Sequence, residues 1–342
     1  MATTRLEEKL ARIRKDPGGT SDFLICDAKD GDMGGGIPMP GPKRDAEGHP
    51  TGASKSRRDY LDQVTALVRQ DILDMVLLSI GNLERLVAEG VFRDSRVGTA
   101  IRANDTTDIW GARGSIYKSQ PALPHRSALI EHAMYGRQGI APGTPPALTD
   151  LGLYSITFMN DVELDRAAGE RYREFRIEAE RWGFKHFLEV FNPNVGSDKL
   201  SRAEIGAFVN DNIVRVIAAV PQACRPQFLK IAYNGPQALE ELVAYDPSIV
   251  VGILGGGAGT TRDTFELLAA AQRGGARLVL FGRKINLAED PLALVALMKR
   301  LVDGEIEPAE AVRAYHDALA KSGARPLRPL EDDLEISEDV LR

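Results

Sequence analysis

Short apolar runs alternate with longer amphipathic stretches through most of this chain. Runs at 22–27, 75–79, 97–103, 154–159, 185–191, 228–233, 249–254 and 277–281 have the length and β-branched character of buried strands. Between them, helical spacing of apolar residues predicts helices at 58–70, 83–89, 164–182, 202–219, 236–244, 261–273 and 291–302. Strand followed by helix, repeated, argues for a parallel sheet with crossover helices. Eight such units favour a closed (β/α)8 TIM barrel over an open doubly wound sheet. We expect one barrel domain across 1–342, with an N-terminal helix at 3–15 and a C-terminal extension at 308–342. That extension is predicted as one helix plus an acidic segment, Glu331-Asp332-Asp333, serving as a cap or a subunit contact. Two connections are longer than usual, a Gly/Pro-rich stretch at 29–52 and an excursion at 104–150. Loops of that length are commonly functional.

Composition narrows the class. The chain has 342 residues, 43% hydrophobic, and a net charge of −6. That is enough apolar material for a large core, and it gives no electrostatic case for nucleic acid or an anionic membrane as partner. The basic cluster Lys55-Ser56-Arg57-Arg58 is read as solvated surface. Cys26 and Cys224 stand far apart and are expected as reduced thiols. No cysteine or histidine spacing points to a metal, and no segment has the apolar length of a signal peptide or a membrane span. A cytoplasmic protein is the expectation.

Lys230 changes the picture. It stands alone in the apolar run Phe228-Leu229-Lys230-Ile231-Ala232-Tyr233, before the breaker Asn234-Gly235-Pro236. Lysine is depleted in strands and rarely buried without a partner. Burial disfavours the charged form of an amine and populates the neutral nucleophile needed for a Schiff base. The bland alternative is a lysine that extends its amine to water. Downstream, Leu254-Gly255-Gly256-Gly257 and Phe281-Gly282-Arg283-Lys284 end the next two strands. Their glycines would let backbone amides approach an anion, with Arg283 adding charge; tight turns alone would also require glycine. Asp27, Arg102 and Glu189 lie at or near other strand ends, so the candidate chemistry gathers at one barrel face.

The segment 228–302, with Phe-Leu-Lys-Ile-Ala-Tyr-Asn-Gly-Pro, Leu-Gly-Gly-Gly and Phe-Gly-Arg-Lys-Ile, resembles the closing third of class I Schiff-base aldolases. It is similar to the archaeal-type fructose-bisphosphate aldolases and their deoxyribose-phosphate and tagatose-bisphosphate relatives. The resemblance covers roughly a quarter of the chain well. It implies that Lys230 forms the imine and that Gly255, Gly256, Gly257, Gly282 and Arg283 hold substrate phosphate. It also implies a small phosphorylated sugar as substrate, no metal or organic cofactor, and a homo-oligomer. Phe187-Leu188-Glu189 resembles the Phe-Leu-Glu of tagatose-bisphosphate aldolases, whose glutamate is an acid/base residue. An equally weighted reading makes Glu189 a structural partner of Lys230 or Arg102. Asp27 matches the strand-one aspartate that handles protons, although Asp30 and Asp32 crowd the same loop.

Departures bear on the substrate. The family's Trp-x-Tyr on strand five is Glu189-Val190-Phe191 here, without the tyrosine proton donor. Arg102 stands where relatives often have lysine, as a substrate or phosphate contact, and Thr157 replaces another lysine. Tyr233, Asn160 and Asp161 are candidates for the lost groups. His186, His125, His132 and Trp110 carry no expected catalytic role. A class I aldolase is therefore the leading expectation. The alternatives are a metal-independent sugar-phosphate isomerase or epimerase, and a non-catalytic sugar-phosphate-binding barrel.

Overall fold

A computed structural model describes residues 3–45 and 48–342; the first two residues, and two within the predicted 29–52 loop, lie outside the described residues. Eight parallel strands close into a barrel: β1 (Leu24–Lys29), β2 (Met75–Leu78), β3 (Gly98–Arg102), β4 (Leu151–Thr157), β5 (Lys185–Phe191), β6 (Leu229–Ile231), β7 (Val251–Leu254) and β8 (Leu278–Phe281). Each pairs with the next in sequence, and β8 returns to β1 with Leu24 opposite Leu278. The protein is a (β/α)8 TIM barrel, as the alternation predicts.

Most boundaries move by one to three residues. β4 begins three residues earlier than the apolar run suggests, because Gly152 interrupts the pattern. A Cβ there would sit 2.7 Å from the Phe184 ring, so packing demands the glycine.

Side-chain alternation sorts each strand into an inner and an outer set. Leu24, Cys26, Met75, Leu77, Leu153, Phe187, Phe228, Leu278 and Leu280 fill the barrel. Phe187 and Phe228 stack there with ring centroids 4.4 Å apart. The helix Arg5–Lys15, capped by Thr4, closes the N-terminal end of the barrel with Leu6, Leu10 and Ile13. Ile25, Val76, Leu188, Leu229 and Val279 face the surrounding helices instead. The barrel is thus packed from below, and its open end is the C-terminal rim.

Both long excursions cover that rim. The first folds into a short helix, Gly31–Gly35, and a hairpin of Pro42–Arg44 with Pro50–Ser54. The second pairs Asp105–Thr106 with Pro124–His125, and the Gly111 amide donates to the Gly34 carbonyl at 2.8 Å, joining the two. Asn194, beyond β5, donates to the carbonyls of Lys118 and Gln120 and so anchors the second excursion.

The predicted C-terminal helix is Pro308–Ser322. The acidic segment after it is not simply solvated. Asp333 is buried, accepts from the Thr261 amide at 2.8 Å and meets His316 at 2.9 Å. Further on, Ser337 and Glu338 bond to Asp263, closing the chain over the start of helix Thr261–Arg273. Among the described residues, no helix is long and apolar enough to cross a membrane.

Candidate active site

Register brings the reactive groups to one level. Lys230 on β6 lies opposite Glu189 on β5, and Glu189 lies opposite Ser155 on β4. All three belong to the inward-facing set. Lys230 is only 5% exposed, and its Nζ sits 2.5 Å from Glu189 Oε1. The other carboxylate oxygen, Oε2, accepts from Ser155 Oγ at 2.6 Å and from Arg102 at 3.3 Å. Arg102, at the end of β3, also donates to Asp30 Oδ2 at 2.5 Å and to Ser155 Oγ at 3.0 Å. Asn104 locks the height of β4 by exchanging bonds with the Ser155 backbone, 2.6 and 2.8 Å. The lysine is buried as expected, but in a charged cluster rather than an apolar slot.

Electrostatics follow from these contacts. Burial opposes the Arg102 charge, yet Asp30 and Glu189 outweigh it and hold the guanidinium above its ordinary range. Burial likewise pushes Asp30 up, but Arg102 and Lys230 prevail and its carboxyl stays below the usual value. Asp30 is therefore an ionised carboxylate at neutral pH.

Above this cluster opens a cavity of about 530 Å³. Lys230, Glu189, Arg102 and Asp30 contribute to its lining, together with apolar Ala232, Leu254, Leu280 and Phe191. Gly255, Gly256, Gly282 and Arg283 line it from the β7 and β8 ends. Lys118, Asp108 and Asn192 line it from the loops after β3 and β5. Gly256 has φ +62°, a conformation costly for other residues. A Cβ at Gly282 would lie 3.1 Å from the Ala28 carbonyl oxygen, so close packing against β1 by itself accounts for that glycine. Gly282 also opens a short helix, Arg283–Asn286, absent from the sequence reading. Lys284 leaves the cavity's lining and pairs with Glu338 at 2.8 Å.

Seven of the nine expected site residues thus converge on the cavity: Lys230, Glu189, Arg102, Gly255, Gly256, Gly282 and Arg283. Asp27 and Gly257 do not line it. On β1 the inward positions are 24, 26, 28 and 30, so Asp27 faces the helix layer and Asp30 takes the place expected of it. Asp27 is fully buried 3.3 Å from Lys29, which in turn lies 3.2 Å from Asn286 Oδ1 and beneath the Tyr60 ring. Burial raises the Asp27 carboxyl to about 6, with Lys29 offsetting it only in part. Arg102 lines the cavity, and each of its three guanidinium nitrogens already has a protein acceptor.

A buried pair of this kind makes a prediction. Asp27→Asn should cost about 3–5 kcal/mol by stranding the Lys29 charge. Asp27→Leu combined with Lys29→Met should recover most of that loss in urea unfolding. Neither change should alter the reactivity of Lys230 more than a few-fold.

Other candidates find structural roles. Tyr233 packs on the outer apolar layer, Asn160 has φ 57°, and Asp161 caps helix Val162–Trp182. His186 is buried against the Tyr172 hydroxyl at 2.8 Å, and burial lowers its pKa to about 3, so it stays neutral. His125 makes an edge contact with Trp110. Two groups of the site, the buried Ser155 and the cavity-lining Asp108, have no part in the sequence expectations. Ser155 is a polar residue within the mostly apolar strand Leu151–Thr157, and that signal was available. Asp108 lies in a short turn with no pattern to mark it; its Oδ2 accepts from Thr157 at 3.0 Å, and its buried Oδ1 has no partner.

No protein-family model matches the chain, and no curated protein matches it. Solved structures do. A crystal structure of an archaeal fructose 1,6-bisphosphate aldolase superposes with TM-score 0.60 at 18% identity, covering 87% of this chain and 99% of the other. The two share a fold. Another archaeal structure, with its catalytic lysine bound to the carbinolamine intermediate of the substrate, gives TM-score 0.59, again at 18% identity with 87% and 99% covered. A fructose-bisphosphate aldolase from Slackia heliotrinireducens gives 0.59 at 12% identity, with 92% and 91% covered.

Proposed function

We propose that this barrel is a class I aldolase, forming or cleaving a C–C bond in a phosphorylated ketose or related sugar through a Schiff base on Lys230. The observation that carries it is an inward-facing, buried amine 2.5 Å from a carboxylate on the floor of a cavity at the C-terminal rim. The shared fold with Schiff-base aldolases supports the same reading.

The chemistry can be written on these residues. Lys230 Nζ attacks the ketone carbonyl carbon, and the proton it sheds passes to Glu189 Oε1. Returning that proton to the carbinolamine oxygen, with a second proton from solvent, lets the oxygen leave as water and gives the iminium. The C–C bond between the α and β carbons then breaks, its electron pair forms the enamine double bond with the iminium carbon, and the aldol hydroxyl on the β carbon loses its proton. Asp108 takes that proton: a buried carboxylate oxygen without a donor is costly, and a substrate hydroxyl in the cavity would satisfy it. Asp108 would thus fill the role left open by Phe191. Protonation of the enamine and hydrolysis release the ketone and free the amine. Backbone amides at Gly255, Gly256 and Gly282, with Arg283, would hold the phosphate.

Borohydride with a panel of phosphorylated ketoses tests this. Reduction should fix the substrate carbon skeleton on Lys230, located by peptide mass spectrometry. Asp108→Asn should still trap while losing C–C cleavage. Labelling elsewhere, or none across the panel, would reject the imine mechanism.

A further inference from the structure

Arg102 is the most fully engaged side chain in the site. Its Nε donates to Asp30 on the β1 side, one terminal nitrogen serves Ser155 and the Asn104 carbonyl, and the other reaches Glu189. The residue is 5% exposed. Glu189 is correspondingly divided: Oε2 is held by Ser155 and Arg102, while Oε1 faces Lys230. A planar guanidinium imposes fixed directions on its acceptors in a way an ammonium cannot.

We propose that Arg102 is a positioning residue acting through Glu189: with Ser155 it fixes Oε2, so that Oε1 remains on Lys230 Nζ throughout attack on the carbonyl. The inference rests on Lys230 being the nucleophile, and it replaces the expected contact between Arg102 and substrate phosphate. Asp30 completes the arrangement by holding the guanidinium itself from the β1 side. Ser155 Oγ both accepts from Arg102 and donates to Glu189, so the three groups form one ring of bonds with the carboxylate as its output. A shift of about 1 Å in such a group can cost about 100-fold in rate.

Formaldehyde tests this without any anion for the site to grip. Lys230 adds to its carbonyl, water leaves, and cyanoborohydride delivers hydride to the iminium, giving methylated lysine. The rate at Lys230 is followed in the full chain by peptide mass spectrometry from pH 6 to 9. Arg102→Met should slow methylation of Lys230 by about 10- to 100-fold near neutral pH. Arg102→Lys should fall between, and Ser155→Ala should act in the same direction with smaller size. On a Glu189→Gln background, Arg102→Met should add less than about two-fold, because both act through one carboxylate.

Unchanged formaldehyde kinetics in Arg102→Met, with a raised half-saturating concentration of dihydroxyacetone phosphate in borohydride trapping, would overturn the proposal in favour of a substrate-anion contact. Additive losses in the double variant would overturn it in favour of general structural support. If Arg102→Met does not fold, Arg102→Lys and Ser155→Ala decide the same question. Should the wild-type protein trap no phosphorylated ketose, the aldolase reading falls, while the formaldehyde comparison still decides the role of Arg102.

Discussion

Lys230→Arg is expected to reduce turnover by on the order of 10,000-fold or more, in keeping with the loss of a covalent nucleophile. Arginine preserves the positive charge and can still meet Glu189, so the buried pair survives and the barrel should fold. What it cannot do is deprotonate near neutral pH and attack a carbonyl. The comparison therefore separates nucleophilic from electrostatic use of this position. Steady-state turnover and borohydride trapping should both vanish. A variant that keeps substantial activity would instead support the imine-free isomerase or epimerase, in which Glu189 alone moves the proton.

Glu189→Gln should be nearly as damaging, through a different cause. In the proposed mechanism the carboxylate takes the proton from the attacking amine, and such general-base roles are worth about 100- to 10,000-fold. Glutamine keeps the shape, and its oxygen can still accept from Ser155, but it no longer balances Lys230 and Arg102 in a buried setting. Breaking a buried ion pair by removing one partner costs about 3–5 kcal/mol. Trapping rates and urea unfolding together check both parts. Loss of stability with wild-type trapping would mark Glu189 as a charge partner only.

Much of the architecture was legible in the pattern of apolar runs. Eight strand-helix units imply closure, and the spans of β5 and of helices Thr261–Arg273 and Pro291–Val302 agree with that pattern residue for residue. Lys230 and Glu189 were legible too, because a charged residue inside an apolar strand has few bland explanations. The strand-one aspartate was harder. Asp27 and Asp30 are three residues apart, so alternation sends them to opposite faces of the sheet, and only knowing that Leu24 and Cys26 point inward decides between them. The contact of Arg102 with Glu189 was among the readings weighed, but its contacts with Asp30 and Ser155 were beyond the sequence, since those residues come from two further segments. The short helix after Gly282 was hidden for another reason: its four residues are too few to show any periodicity.

The lysine and its carboxylate belong to β6 and β5, whereas Lys118 and Asp108 come from the long segment after β3. The amine and its carboxylate thus stand on the strands, while the proposed acceptor of the aldol proton stands on a loop. On the proposed reading, a replacement segment that kept Asp108 and the anchoring at Asn194 would change which aldehyde is accepted, while one that lost Asp108 would also lose the acceptor of the aldol proton.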